Sequence, residues 1–594
     1  MTETATTAVE RPGGIWLLED TSIGSVFTPE RLTDEHQLID QTADEFVSNE
    51  ILPNHDQLES KDWNLARRLI SRAGELGLLG TDVPEEYGGV ALDKASTVVV
   101  GTRLGQAGSF GVTCGTHTGL TILPLHCFGT ALQKQKYLGK LVSGEWVGAY
   151  CLSESSSGSD ALGAKTRATR QTDGSFVLTG EKMWITNGGF ADLYVVFAKV
   201  DGEQFTAFLV ERDSPGVSTG KEEHKMGLHG TSTTPVILQD VRVPSANVLG
   251  DIAKGHKVAF NTLNYGRFKL AVSTVGTAAV AIREAARYAN ERQQFGQPIA
   301  SFGAIKHKLG EMTVRAYAVE SMIYRITGLL DVTLAGHDPA DAGPLRAILE
   351  NLAVECSILK VAGSEMLHYV LDENVQIHGG NGFVRDYPAE RHYRDSRVNR
   401  IFEGTNEINR LLIPGTLIRR ALAGSLPLID AAKRLQGEIM EPPTLAATSD
   451  APLAEQQRIV SALKKTGLLV LGLALQRYRE KISEQQELLA HAADILIDTF
   501  GAESAVLRAG QAAVDDAHNE SLHTDAACVY VNEAAERITT TARCALASMD
   551  TGDTLQLHLA GLRRLLKFTP VDTVSMRRRL ADATVDKRGY IFRR

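Results

Sequence analysis

The sequence lacks most of the features that announce a simple class. It has six cysteines in 594 residues (Cys114, Cys127, Cys151, Cys356, Cys528 and Cys544), and none forms a Cys-X-X-Cys pair. That spread fits free thiols in a reducing compartment better than a disulfide framework or a zinc site. Positive charge is not in excess. The formal net charge is -10, so the chain as a whole is a poor candidate for nucleic acid or an anionic membrane, although a local basic patch can still hold a phosphorylated ligand. Long apolar runs are missing too: Gly467 to Leu475 is the longest, far short of the ~20 residues that span a bilayer. Met1 to Gly14 has no apolar core and none of the arginine-rich, acid-poor character of a transit peptide. The expected location is a prokaryotic cytoplasm, or an organelle matrix if the chain is a trimmed mature form.

What is present is enough chain for several packed domains. Residues 1–30 are expected to form a loose or surface-draped arm. Residues 31–147 read as helical, with Leu65, Leu69, Ala73 and Leu76 on one stripe. Residues 148–254 change character: Ser175–Thr179 follows the turn pair Asp173-Gly174, and further strands are expected at Asp192–Ala198, Gln204–Val210 and Thr234–Leu238. The helical period returns over 255–423, where Val272, Val275, Ala279, Ile282 and Ala286 draw one apolar face. A linker is expected over 424–452, which contains Glu441-Pro-Pro-Thr444, and a further helical domain over 453–594. The fold class is therefore α+β, mainly α.

Three segments concentrate chemistry. Tyr150-Cys-Leu-Ser-Glu-Ser-Ser-Ser-Gly-Ser-Asp160 offers hydroxyls and backbone N–H groups to a phosphate or a polar ring edge, although by itself it is more often a plain Ser/Gly loop. It is no P-loop, because the Gly-Lys-Ser/Thr ending is absent. Lys182-Met-Trp-Ile-Thr-Asn-Gly188 sets a tryptophan beside hydroxyl and amide donors, which suits a flavin; a core tryptophan at a strand end is the plainer alternative. Arg394 to Arg410 places Glu403 between Phe402 and Gly404, after the basic residues Arg391, His392, Arg394, Arg397 and Arg400. Glu403 is either the end of a solvated helix face or a partly desolvated general base, and its neighbours in sequence do not choose between the two.

With Glu291-Arg-Gln-Gln-Phe-Gly296 and Gln376-Ile-His-Gly-Gly-Asn-Gly-Phe383, these segments stand in the order and spacing of one family. From about residue 35 to 420 the chain resembles the acyl-CoA dehydrogenases. The extra C-terminal helices, Ser156-Ser157 and Asn264-Tyr-Gly-Arg-Phe268 resemble the very-long-chain branch. The resemblance implies a helical N-terminal domain, a central β-barrel-like domain and a C-terminal four-helix bundle, here with an additional helical domain.

It also implies FAD-dependent α,β-dehydrogenation of an acyl-CoA, of long or very long chain, to the trans-2-enoyl-CoA in fatty acid β-oxidation. Electrons pass to an electron-transferring flavoprotein. Two other readings stay open, a fold-retaining assembly partner with little turnover and an oxygen-using, oxidase-like flavoenzyme. Glu403 matches the base, and its backbone N–H joins a ribityl hydroxyl in polarising the thioester carbonyl. Gly266 occupies the position where some members carry the base instead.

FAD contacts map to Leu152, Ser153, Ser159, Trp184, Ile185, Thr186, Thr405, Asn406 and Glu407. Arg292, Gln294, Phe295, Gln376, Ile377, His378, Gly379 and Gly380 map to contacts with a neighbouring subunit's FAD, which implies a homo-oligomer, a dimer being favoured over a tetramer. Ser159, Asn264, Arg267, Phe402 and Gly404 map to the CoA thioester, and Gly115 to Leu120 to the acyl channel. Ser155 stands where the family has proline, which removes a φ restraint. The basic membrane-docking segment of the branch is not matched: Leu428 to Pro452 carries Lys433 and Arg434 as its cations, with acidic neighbours.

Overall fold

A computed structural model describes residues 12–440 and 453–592. Helices such as Trp63–Glu75 and Lys94–Leu104 build the N-terminal third, each begun by an aspartate side chain (Asp62, Asp93) that accepts from a backbone N–H of the first turn. Between Gly148 and Leu249 the chain forms one eight-stranded sheet. Its order is Val217–Thr219, Thr233–Val243, Phe176–Thr186, Arg167–Arg170, Leu193–Val200, Gln204–Glu211, Val248–Leu249, with Gly148–Cys151 added in parallel to Leu193–Val200. Leu193 to Ala198 is buried throughout, because the sheet is covered on both faces there.

The long helices Gly255–Glu291, Gly303–Leu334 and Ala353–His378 pack on one another and carry Asn406–Leu422 beside them. Ala454–Tyr478, Gln486–Asp515, Glu520–Met549 and Thr573–Lys587 extend the same core. By length and hydropathy the segment Ala454–Glu484 is apolar enough to cross a membrane, yet Leu463, Val470 and Leu471 are buried against neighbouring helices.

Two segments differ from expectation. Leu428–Met440, inside the expected linker, is a helix packed on Ala454–Tyr478. Its apolar residues Leu428, Ala432 and Leu435 recur at helical spacing, whereas the Pro442-Pro443 signal for a linker lies outside the described residues. Of the expected arm, residues 1–30, the first eleven lie outside the described residues, and the rest is threaded between domains and not draped over the surface. Gly14 N–H donates to Glu355 Oε1 (2.6 Å), Lys464 Nζ to the carbonyl of Glu19 (2.8 Å), and Arg325 Nη2 to Thr21 Oγ1 (2.9 Å). Trp16 packs on Phe500, and the buried guanidinium of Arg508 clasps Glu30 (2.6 Å) and Glu320 (2.9 Å).

Candidate active site

Glu403 and Gly404 sit in the turn before helix Asn406–Leu422, both in the left-handed region, at φ 57° and 77°. Glycine takes that conformation freely; glutamate does so at a cost of about 1–3 kcal/mol, so the surroundings must hold it there. They do. Arg267 Nε donates to the Glu403 carbonyl (3.1 Å), Asn409 Nδ2 to the Gly404 carbonyl (2.9 Å), and Lys360 Nζ to the Gly404 carbonyl and Asn406 Oδ1 (2.7 Å each). Thr405 Oγ1 accepts from Ile408 N–H and starts the helix. Lys360, Asn409 and Asn406 are buried, so these bonds are shielded from water.

The carboxyl group lies in the wall of a cavity that opens between helix Gly255–Glu291 and the 78–120 region. It rests on Gly266: a Cβ added there would stand 2.8 Å from Glu403 Oε2 and 2.9 Å from Cδ. Oε2 is buried and has no hydrogen-bond partner among the described residues. Burial pushes the acid up to about 7, against the opposing charges of Arg267 and Lys360. A carboxylate poised near neutrality, unpaired and facing a cavity, is suited to proton abstraction. Since the carboxylate is the active form, kcat/KM should fall about tenfold per pH unit below pH 7 and level off above it. Initial rates across pH 5 to 9 with substrate below KM measure this.

The remaining mapped residues divide. Trp184 is 59 % exposed at φ 58°, in the stretch where pairing of Phe176–Thr186 with Thr233–Val243 slips between Lys182 and Ile185. The bulge turns a large ring outwards at a strained position, as a planar ligand requires. Ser159 is exposed, Ser153 and Thr186 are half-buried, and Leu152 and Ile185 are buried. The loop without proline is held by polar bonds instead. Glu154 accepts from Lys182 Nζ (2.7 Å), Thr166 N–H (3.0 Å) and Lys165 N–H (2.6 Å), and Glu154 and Ser157 exchange backbone bonds. Burial alone would raise Glu154; the Lys182 ammonium and these donors outweigh it and hold the carboxyl at about 2. Lys182→Met should destabilise the enzyme by about 3–5 kcal/mol, read by denaturant unfolding, and weaken retention of the flavin.

Asn406 faces inward to Lys360, Ser364 and Glu365, while Glu407 is exposed. Asn264 and Arg267 are buried beneath the turn, with Arg267 Nη1 donating to Asn264 Oδ1 (3.0 Å) and Asn264 Nδ2 to the Leu349 carbonyl (3.0 Å). In this structure they support Glu403 and do not line the cavity. Phe402 lines it, as do Gly115, Thr116 and Thr118 to Leu120.

Phe295 and Gly296 form the left-handed tip of a tight hairpin, and Phe295 is 92 % exposed. Arg292, Gln294, Gln376, Gly379 and Gly380 share that exposure. Ile377 and His378 do not: both are buried, and His378 stacks on Tyr288 at 4.2 Å. Lys360 and Asn409 escaped the sequence reading. The signal was a single lysine among Ile358, Leu359, Val361 and Ala362, a placement no solvated helix face explains.

Family models cover most of the chain. They are the acyl-CoA dehydrogenase N-terminal domain (residues 33–145), middle domain (149–241), and C-terminal domain (253–417), with a further model described as acyl-CoA dehydrogenase, C-terminal domain over 462–564. A "Probable acyl-CoA dehydrogenase" of Bacillus subtilis (strain 168) is 46% identical over 587 residues, 97% of this chain and 98% of that protein. The human "Very long-chain specific acyl-CoA dehydrogenase, mitochondrial" is 35% identical over 503 residues, 78% of this chain and 73% of the relative. An acyl-CoA dehydrogenase from Bacillus anthracis, solved in complex with FAD, superposes with a TM-score of 0.95 at 46% identity, covering 98% of this chain and 99% of that one.

The chain belongs to the acyl-CoA dehydrogenases. It is an FAD-dependent enzyme of that fold with an additional C-terminal helical domain. The residues present fit FAD. Trp184 offers an exposed, strained ring, Ser153 and Ser159 offer hydroxyls, and Gly158 has no neighbour within 4 Å of where a Cβ would stand.

Proposed function

We propose that this dehydrogenase oxidises long-chain acyl-CoA thioesters in fatty acid β-oxidation, delivers its electrons to an electron-transferring flavoprotein, and works as a homodimer. The observation that carries the chain length is the cavity. Helix Gly255–Glu291 lines it from Gly266 to Val280, about 21 Å of axis at ~1.5 Å per residue. An extended chain advances about 1.25 Å per carbon for ~1.5 Å bonds, so this span matches about sixteen carbons.

FAD, when bound, supplies the two-electron oxidant that accepts hydride. The protein's own residues do the rest. Glu403 removes the α-proton with the carboxylate seated over Gly266. The turn that fixes its backbone N–H is clamped by Arg267, Lys360 and Asn409. That gives the thioester oxygen a preorganised donor, which lowers the cost of developing negative charge. The apolar wall, including Leu78, Leu104, Leu270 and Phe402, keeps water from the proton transfer.

Anaerobic bleaching of the enzyme-bound flavin by hexadecanoyl-CoA tests the chain length: faster bleaching than with hexanoyl-CoA supports it, and bleaching by short chains alone overturns it. Turnover in the presence of an electron-transferring flavoprotein, without peroxide release, distinguishes the dehydrogenase from an oxidase. For the oligomer, Phe295 and Phe383 (86 %) are large apolar side chains left exposed, and the subunit contact is placed on the face that carries Phe295. Phe295→Glu should convert dimer to monomer in sedimentation velocity and reduce FAD occupancy. An unchanged sedimentation coefficient counts against this face.

A further inference from the structure

The cavity wall carries groups foreign to a channel for plain hydrocarbon: the carboxyls of Asp82 and Asp395, the ring of His392, and one ammonium. Lys269 lies one helical turn beyond Gly266 and faces the cavity. Its ammonium donates to Thr118 Oγ1 (2.7 Å), and it has no other hydrogen-bond acceptor among the described residues. Thr118 passes its own proton to the Cys114 carbonyl (2.9 Å), so it can accept from Lys269 and offers nothing further to a ligand.

Asp82 lines the same cavity and its charge acts on Lys269, but it makes no hydrogen bond to that ammonium among the described residues. Its Oδ2 accepts from Lys94 Nζ and from Tyr265 Oη (2.8 Å). Lys94 and Lys269 stand 5.6 and 5.9 Å from the centre of the same Tyr265 ring. Asp331, also close to Lys94, spends its oxygens on the N–H groups of Lys94 (2.6 Å) and Ala95 (3.1 Å). Lys269 and Asp82 line the cavity and Lys94 does not, so the wall at this point carries one ammonium group, with Thr118 as its one hydrogen-bond acceptor among the described residues, beside one carboxylate already engaged by Lys94 and Tyr265. A methylene chain laid against Lys269 strips water from it and returns no hydrogen bond; an anionic oxygen returns charge-assisted ones.

We propose that Lys269, seated by Thr118, is a subsite for a carboxylate borne by the acyl chain, so that mono-CoA thioesters of dicarboxylic acids are substrates alongside unsubstituted chains. The inference rests on the acyl-CoA dehydrogenase reading of the cavity. The position of Lys269 sets the length. One turn of helix from Gly266 is about 4.5–5.4 Å along the axis, and the side chain adds a similar reach. The carboxylate then falls about four to eight carbons from the thioester, at about 1.25 Å per carbon.

The test compares matched thioesters on the FAD-loaded enzyme: hexanedioyl-CoA against hexanoyl-CoA, octanedioyl-CoA against octanoyl-CoA, with hexadecanoyl-CoA as reference. The wild type should favour the dicarboxylic member in kcat/KM by about tenfold to a hundredfold at one or both lengths, the range of a hydrogen bond to a charged group. Lys269→Met should bring that ratio to one or below, and Lys269→Arg, which keeps the cation, should retain it. Flavin content and the spectrum of each variant confirm that the fold is intact; if Lys269→Met loses FAD, Lys269→Gln takes its place. Equal or lower kcat/KM for the dicarboxylic member at both lengths overturns the proposal, as does an unchanged ratio in the variant. Bleaching by hexadecanoyl-CoA in that same experiment leaves the dehydrogenase reading standing. Bleaching by none of the five thioesters overturns that reading and the proposal together.

Discussion

Glu403→Gln keeps its FAD and loses the ability to be bleached by acyl-CoA. The substitution preserves volume and the backbone turn, so the clamps from Arg267, Lys360 and Asn409 remain in place. What it removes is the only function a neutral amide cannot perform, acceptance of the α-proton. General-base catalysis is worth about 10²–10⁴-fold, and the loss in the bleaching rate should be at least that. Stopped-flow absorbance at the flavin band, with wild type and variant at equal FAD content, gives the ratio directly. The variant should still bind acyl-CoA, because the cavity wall is otherwise unchanged. A retained rate would mean that another group takes the proton; Asp82 and Asp395 also line the cavity, but among the described residues Glu403 is the carboxyl seated at Gly266.

The second large effect belongs to a residue with no side chain. Gly266→Ala places a methyl 2.8–3.0 Å from both oxygens and Cδ of Glu403. Nothing real sits that close, so the carboxyl must move. Displacing a reacting group by about 1 Å costs about 10²-fold in rate. The expected result is a kcat about a hundredfold lower, with FAD content and thermal stability close to wild type, since the clash is relieved into a cavity. If kcat holds while stability falls, the glycine serves helix packing and not the base. The position thus links two facts that look unrelated in sequence: where Glu403 is the base, residue 266 must be small enough to seat it.

Much of this site was legible beforehand, and the reason is local. The segments 150–160 and 182–188 each carry their chemistry within a dozen residues and 394–410 within seventeen, and their order along the chain carries the family resemblance that singles out Glu403. What stayed hidden depends on contacts across hundreds of positions. The left-handed conformation of Glu403 follows from Arg267, 136 residues away, and from Lys360 holding the next carbonyl. Trp184 is strained because two strands lose register, which no composition at 182–188 reveals. Asn264 and Arg267 were mapped to the ligand, yet their bonds run to Leu349 and to the catalytic turn. Residues 1–30 read as an arm, and Met1 to Gly14 is indeed polar; Trp16 and Leu17, a buried pair just beyond it, were the dissenting signal.

That threaded arm has a consequence for how the enzyme is made. Glu30 meets Arg508 across 478 residues of chain. At about 5–20 residues per second, the ribosome releases the arginine roughly half a minute to a minute and a half after the glutamate. Throughout that interval the arm can reach its partners on the earlier helices, such as Glu355 and Arg325, but not Phe500 or Arg508, and the helix bundle bearing Glu403 is missing one of its walls. A messenger truncated in its last quarter would therefore yield a chain that keeps Glu403 and its clamps but lacks the partners of Trp16 and Glu30. Ribosome-bound fragments ending near residue 450 should be cut by protease between residues 12 and 31, and full-length chains should resist cleavage there.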